Sequence, residues 1–365
     1  MKRILFIIIF TLFALTACSN GEKNNEELSS PDPVITDENE NANDESTDEE
    51  EVVEVVEEVE ESLPYVYPLT GIRTDQDISQ RVIAVMLNNH VKARPQSGLH
   101  KADVVYEVLA EGNITRFLAL YQSDLPEVFG PIRSARHYYM DLSNGYNGFY
   151  IHHGWSPLAK KMVKNGQIEN LNGLYFDGIL FHRAPFRKAP HNSYITVENL
   201  MEGADRKGYA FEDTDISPLP FLTEDEVASL SGEKATSVTV TYASSYDVKY
   251  EYNAEEMTYT RYSSGVKTVD LETEIPITTK NIFVVEVPHY FIDSYPRRGL
   301  SLTDGGKGYL IGNGIVREVE WQNVDGRILP FHDGKEVGFI PGKTWINIVP
   351  TDPGLEDSVT IVGNE

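Results

Sequence analysis

From residue 63 onward, short continuous apolar runs alternate with stretches of helical period. VIAVMLNN (82–89), VVYEVLAE (104–111) and ITRFLALYQ (114–122) are apolar on successive positions rather than alternate ones. That pattern predicts strands buried on both faces. Glu111-Gly112-Asn113 separates the last two as a tight turn, so they form an antiparallel hairpin. FGPIRSARHYYMD (129–141) predicts a strand end followed by a helix from Ala135 to Leu142, with Ser134 as its N-cap and Arg136 and His137 in its first turn. GFYIHHG (148–154) is a further strand, and Ser156-Pro157 opens the helix LAKKMVKNG. DGILFHR (177–183) is the next strand, and Thr196 caps the helix VENLMEGADRKG.

Near residue 236 the texture changes to strict alternation rich in Val, Thr and Tyr, with turn signals such as Asn253-Ala254 and Ser264-Gly265. This predicts antiparallel β-structure. The fold class is therefore an α/β, mixed-sheet N-terminal domain followed by a mainly antiparallel β C-terminal domain. The expected boundaries are 63–210, a linker at 211–235, 236–352, and a tail at 353–365. Pro341-Gly342-Lys343-Thr344 imitates a phosphate-binding loop, but Val337 stands where the first glycine is required and a strand follows. It reads as a β-turn.

The N-terminus alters this picture. Lys2 and Arg3 precede an apolar run, Ile4 to Leu15, too short for the roughly 20 residues of a spanning helix. It suits the h-region of a secretory signal covering 1–17. Leu15-Thr16-Ala17-Cys18 is similar to the lipobox of bacterial lipoproteins and holds the one cysteine of the chain, so Cys18 is the expected site of lipidation and membrane attachment. No disulfide is then available. Residues 18–62 contain 18 acids and a single lysine, the composition of a disordered acidic tether. Segment charges are −17 for 19–62, +3 for 63–210 and −14 for 211–365. The acid excess argues against nucleic acid as a partner.

Candidate chemistry concentrates in the electropositive segment, since seven of nine histidines lie between 90 and 191. Three loops that follow strands carry it: Arg133-Ser134-Ala135-Arg136-His137, His152-His153-Gly154, and His182-Arg183 with Arg187-Lys188 closing in His191-Asn192. Ligands of open α/β sheets bind beyond the carboxyl ends of strands. Arg116, Arg133, Ser134, Arg136, His137, His153, Arg183, His191 and Asn192 are therefore expected to line a crevice for a phosphate-like or carboxylate anion. Simpler roles compete. Arg116 can pair with Glu107 or Glu111 across the hairpin, and His137 can pair with Asp141 at i, i+4. His152 and His153 point to opposite faces, so at most one reaches the crevice. Trp155 and Trp345 suit a core.

Pro68-Leu69-Thr70-Gly71, Arg94-Pro95-Gln96-Ser97-Gly98, Gly130-Pro131-Ile132-Arg133-Ser134-Ala135-Arg136 and Pro190-His191-Asn192 together resemble the YerB family of Firmicute lipoproteins, over about 65–350. The resemblance implies location and layout, not a reaction. Arg116-Phe-Leu-Ala-Leu-Tyr with Gly-Pro-Ile-Arg133 is similar, more weakly, to the LytR-CpsA-Psr phosphotransferases. That likeness implies polyprenyl pyrophosphate as ligand and Mg²⁺ at Asp103, although Ser134 stands where those enzymes carry an acid. Three functions follow: a lipid-anchored extracytoplasmic protein binding an anionic envelope ligand without a cofactor, a polyprenyl-linked transferase using Mg²⁺, or a non-enzymatic scaffold for a protein partner.

Overall fold

In the computed structural model, residues 63–213, 215–244 and 246–363 are described. The expected signal peptide, Cys18 and the acidic stretch to 62 lie outside the described residues. The apolar runs of the first half become strands β1 (Ile83–Asn88), β2 (Val104–Glu111) and β3 (Ile114–Tyr121), joined by β4 (Phe149–His152) and β5 (Asn170–Asn172). β3 is antiparallel to both its neighbours, β2 and β1, whereas β4 and β5 add in parallel.

The second half supplies β6 (Ser237–Ala243), β7 (Tyr246–Asn253), β8 (Thr258–Ser263) and β9 (Val266–Lys267). Next come β10 (Asn281–Val287), β11 (Gly306–Gly312), β12 (Ile315–Val324), β13 (Arg327–His332) and β14 (Lys335–Glu336). β15 (Thr344–Pro350) and β16 (Val359–Val362) complete it. The mixed-sheet first half and the mainly antiparallel second half agree with the alternation patterns. The change in texture near residue 236 does not coincide with a break between sheets. β15 lies parallel to β2, with Ile346 opposite Tyr106 and Asn347 opposite Glu107. One twelve-stranded sheet therefore runs β14-β13-β12-β11-β10-β15-β2-β3-β1-β4-β5, with Glu233–Lys234 added on β12. A six-stranded sheet, β9-β8-β7-β6-β16 with Thr278–Thr279 also on β8, lies apart from it.

Both faces of the large sheet are covered, which is why its central strands do not alternate. On one face Met86, Tyr106 and Leu118 pack with Tyr138, Tyr139 and Met140 of helix α1 (His137–Asn144) and Ala159 of α2 (Pro157–Lys164). On the other, Val85, Val105 and Phe117 pack with Val238, Val240 and Tyr250 of the second sheet and Leu200 of α3 (Val197–Lys207). β6 has only one face on this core, and its exposure alternates accordingly. The 341–344 segment is a bend entering β15, as the missing glycine predicts.

Glu107, fully buried on β2, joins the two sheets. Its Oε1 accepts from the Tyr246 hydroxyl (2.6 Å), Thr115 Oγ1 (2.9 Å) and Asn89 Nδ2 (3.2 Å). Its Oε2 accepts from Arg261 Nη2 (2.8 Å) and Trp345 Nε1 (3.2 Å). The Arg261 guanidinium lies against the rings of Trp345 and Phe117, 4.6 and 5.2 Å from their centroids. Trp345 thus belongs to the core, as expected, and also donates to the buried acid. Removing one partner of a buried pair strands the other, at a cost of about 3–5 kcal/mol. Glu107→Leu should lower unfolding stability by that order in urea titrations, and adding Arg261→Met should recover part of the loss. A single-variant loss below about 1 kcal/mol, the usual size for an exposed pair, would show that the pair does not join the sheets.

Candidate functional site

The Arg133 segment is held extended between two strands. Arg133 N–H donates to Met86 O and His153 N–H to Arg133 O, each at 2.9 Å. Ala135 N–H donates to Gly154 O (2.9 Å) and Ser156 N–H to Ala135 O (3.1 Å). These bonds keep Ala135 out of the helix, which starts at His137 with Arg136, not Ser134, at its N-cap. The Ser134 hydroxyl instead donates to His153 O at 3.0 Å. The Ser134 carbonyl accepts from Arg116 Nη1 (2.6 Å) and Arg136 Nη1 (3.4 Å).

Two of the four arginines expected in the crevice share one anion. Arg116 and Arg136 both pair with Glu111, and both side chains are nearly buried. The pairing follows from register. Val108 lies opposite Arg116 and Glu107 opposite Phe117, so Glu107 and Arg116 project to opposite faces. Between Leu109 and Glu111 the ladder shifts by one residue, a bulge that re-aims Glu111 toward Arg116. His137 is also outside the crevice. It forms no ion pair with Asp141 among the described residues, and its buried Nδ1 has no hydrogen-bond partner. Burial, then the adjacent Arg136, lowers its pKa.

Arg133, His153, Arg183, His191 and Asn192 do come together. Arg183, His191 and Asn192 come from the small sheet of Val128–Phe129, Ser193–Thr196 and Phe181–Arg183 and the loop within it, and His153 from the end of β4. Arg183 is spent on Asp177, through Nε and Nη2 at 2.9–3.1 Å, and on Asn192 Oδ1 at 3.3 Å. Arg183 Nη2 also donates to His153 Nε2 at 2.9 Å, which leaves His153 Nδ1 as the donor to Ser193 Oγ at 2.8 Å. The imidazole is therefore neutral, with a pKa lowered to about 4 by burial and by Arg183. His152 turns the other way, fully buried against Gly154 O (2.7 Å) and Asn170 (3.1 Å).

Arg133 is different. It forms no ion pair among the described residues, and its one side-chain hydrogen bond among them is a long one, Nη1 to Pro190 O at 3.5 Å. Its Nε is buried without a partner. Burial, then Arg116, pulls its pKa down to about 10, so it stays charged at neutral pH. Beside it His191 stacks on His90 with centroids 4.5 Å apart, and Asn88 bonds His191 Nδ1 at 2.9 Å. Burial and the surrounding cations lower the pKa of both imidazoles. Asn88, His90 and Ser193 were missed from sequence. The rule that sites lie at strand ends could have found Asn88, the last residue of β1, and His90, which follows it.

Asp103 does not stand with the arginines. Its carboxylate accepts from the N–H groups of Gln122 (2.6 Å) and Ser123 (2.9 Å) and from the Ser123 hydroxyl. It lies beside the far end of β3, six residues from Arg116, or about 20 Å at strand rise. The Mg²⁺ role implied by the transferase resemblance has no geometric basis there. Among the described residues no group of three or more His, Cys, Asp or Glu could hold a metal.

Residues 69–210 match the N-terminal domain of the family described as "Protein of unknown function (DUF3048)", and residues 238–346 match its C-terminal domain. A Bacillus subtilis (strain 168) protein named "Putative lipoprotein YerB" is 50% identical over 287 residues, 78% of this chain and 86% of that protein. The crystal structure of YerB from Bacillus subtilis superposes with a TM-score of 0.76 at 48% identity, covering 82% of this chain and 99% of that one.

The neutral His153 has a consequence for stability. Its pKa is about 4 folded against 6.5 unfolded, so its contribution is complete above pH 6.5 and is lost as pH falls toward 4. Asp103, raised to about 6 by burial, acts in the opposite sense over much of that range. The test is therefore a difference between proteins. The gap in melting temperature between the parent and His153→Gln should narrow as pH falls from 6.5 to 4. A gap independent of pH would contradict the neutral assignment.

Proposed function

This chain belongs to the DUF3048 family, and on that premise we propose that it is a lipid-anchored extracytoplasmic protein that binds a phosphate-like or carboxylate anion in the crevice around Arg133. The anchor reading is supported by Leu15-Thr16-Ala17-Cys18 and by the name of the 50%-identical relative. No helix among the described residues is long and apolar enough to cross a membrane.

One observation carries the binding reading: Arg133 holds a half-buried guanidinium with no acidic partner, whereas Arg116, Arg136 and Arg183 beside it are all paired. A buried cation without a partner is costly, and a bound anion removes that cost. Asn88, His191 and the Ser193 hydroxyl surround it with uncharged groups able to donate to an oxyanion. The transferase reading loses support, because the acid it needs is committed to the 122–123 turn.

Two tests follow. Cys18→Ser should move the protein from the membrane fraction to the medium, or leave an unprocessed precursor; unchanged fractionation with no acyl mass would contradict the anchor. Pyrophosphate at a hundredfold excess over Kd should stabilise the chain by about 2.7 kcal/mol, or roughly 5 °C in melting temperature. Arg133→Ala should abolish that rise without unfolding the protein, since no acid is stranded. No response to pyrophosphate, inorganic phosphate or citrate would refute the binding reading.

A further inference from the structure

On the other side of His90 lies a cavity of about 680 Å³ that takes no part in the crevice. That is within the roughly 300–1,000 Å³ of small-molecule sites. It is enclosed by the 89–96 loop, the hairpin turn at 113–115, Tyr246, and the end of β8 with β9. Its floor is the Glu107 cluster, since Asn89, Thr115 and Tyr246 line it and each also bonds Glu107. Its mouth is aliphatic: Val91, Ile114 and Val266 stand around it, 69%, 41% and 70% exposed. Scattered single apolar residues are ordinary on a surface, but three around one opening mark a binding groove.

The polar lining is one-sided. Arg94, Lys267 and His90 line the cavity and no acid does, in a chain with 57 acids against 31 Lys and Arg. The Arg94 guanidinium lies 5.0 Å from the Tyr246 ring centroid and uses Nε on Asn89, bonding its carbonyl at 3.1 Å and its Oδ1 at 3.0 Å. Among the described residues its two terminal nitrogens make no hydrogen bond and it forms no ion pair. Two buried lining side chains carry polar atoms without a partner, Gln96 Oε1 and Ser263 Oγ. Unpaired buried polar atoms call for an occupant that satisfies them.

We propose that this cavity binds a small anionic amphiphile. The anionic oxygens meet Arg94 and the Ser263 hydroxyl, a hydroxyl of the headgroup donates to Gln96, and the hydrocarbon part lies against Val91, Ile114 and Val266. A phosphate monoester and a carboxylate share this chemistry. The site is separate from the Arg133 crevice and does not rest on it.

The experiment is calorimetric titration of the chain from residue 19 onward with butyl, hexyl and octyl phosphate, hexanoate and octanoate, and octanol. Dissociation constants should fall roughly fifteenfold for each two carbons added, the equivalent of about 0.8 kcal/mol per methylene. The phosphate and carboxylate series separate the two headgroups. Arg94→Met should weaken octyl phosphate at least tenfold, as loss of a charged hydrogen bond does, and leave octanol unchanged. Val266→Glu, at an exposed position that tolerates substitution, should abolish the chain-length-dependent binding of the anions in the series. Arg133→Ala should leave that chain-length dependence and the effect of Arg94→Met unchanged. A flat chain-length dependence would overturn the proposal, as would affinities unmoved by both Arg94→Met and Val266→Glu. Loss of binding in Arg133→Ala alone, or binding only of an apolar peptide with a free carboxyl terminus, would overturn it as well.

Discussion

The ion pair between Glu107 and Arg261 is the contact on which the architecture depends. One carboxylate collects five side-chain donors, from Asn89 and Thr115 in the first half of the sequence and Tyr246, Arg261 and Trp345 in the second. An ionised carboxylate in so dry a place is tolerable only with its oxygens fully engaged. That requirement fixes the six-stranded sheet over β2 and β3 in one position, because any sliding would break several bonds together. Asn347 continues the same layer, accepting from the hydroxyls of Tyr242 and Tyr250, each at 3.1 Å. The roof of the large sheet is thus registered by polar contacts, while apolar area supplies the bulk of its attraction.

Charge is managed by the same logic elsewhere. Arg81 pairs with Glu169, Arg116 and Arg136 share Glu111, and Arg183 takes Asp177. Arg94 and Arg133 escape this pattern, and they lie on either side of His90. Both approach the end of β1, where the chain leaves the sheet and no longer has to satisfy its ladder. The bulge before Glu111 matters here. It turns that acid onto the face of Arg116, where Arg116 and Arg136 share it. Arg133 forms no ion pair among the described residues.

Much of the fold was legible in the sequence because the features concerned are local. The 104–111 and 114–121 hairpin, the caps at Ser156 and Thr196 and the strict alternation of β6 depend on residues within one turn or one strand. Continuous apolar runs announced strands buried on both faces. The opposite orientations of His152 and His153 followed from strand geometry alone. The start of the helix after Arg133 was misplaced by two residues, because Ala135 is held by Gly154 and Ser156, partners that no local rule reveals.

Which charges meet was decided only by the tertiary structure. Glu107 and Arg261 are 154 residues apart, and β2 finds β15 across most of the chain. Strand order is set by such long-range pairings, and face parity inverts at a single bulge, so the sequence near Arg116 was equally consistent with either glutamate. The sequence by itself determined most of the strands, though not Asn170–Asn172 or the turn at 178–180 ahead of Phe181–Arg183, and also the hairpin, most helix starts and the electropositive character of 63–210. Register and strand order determined which cations are neutralised within the chain, and these are long-range properties that composition and spacing do not encode.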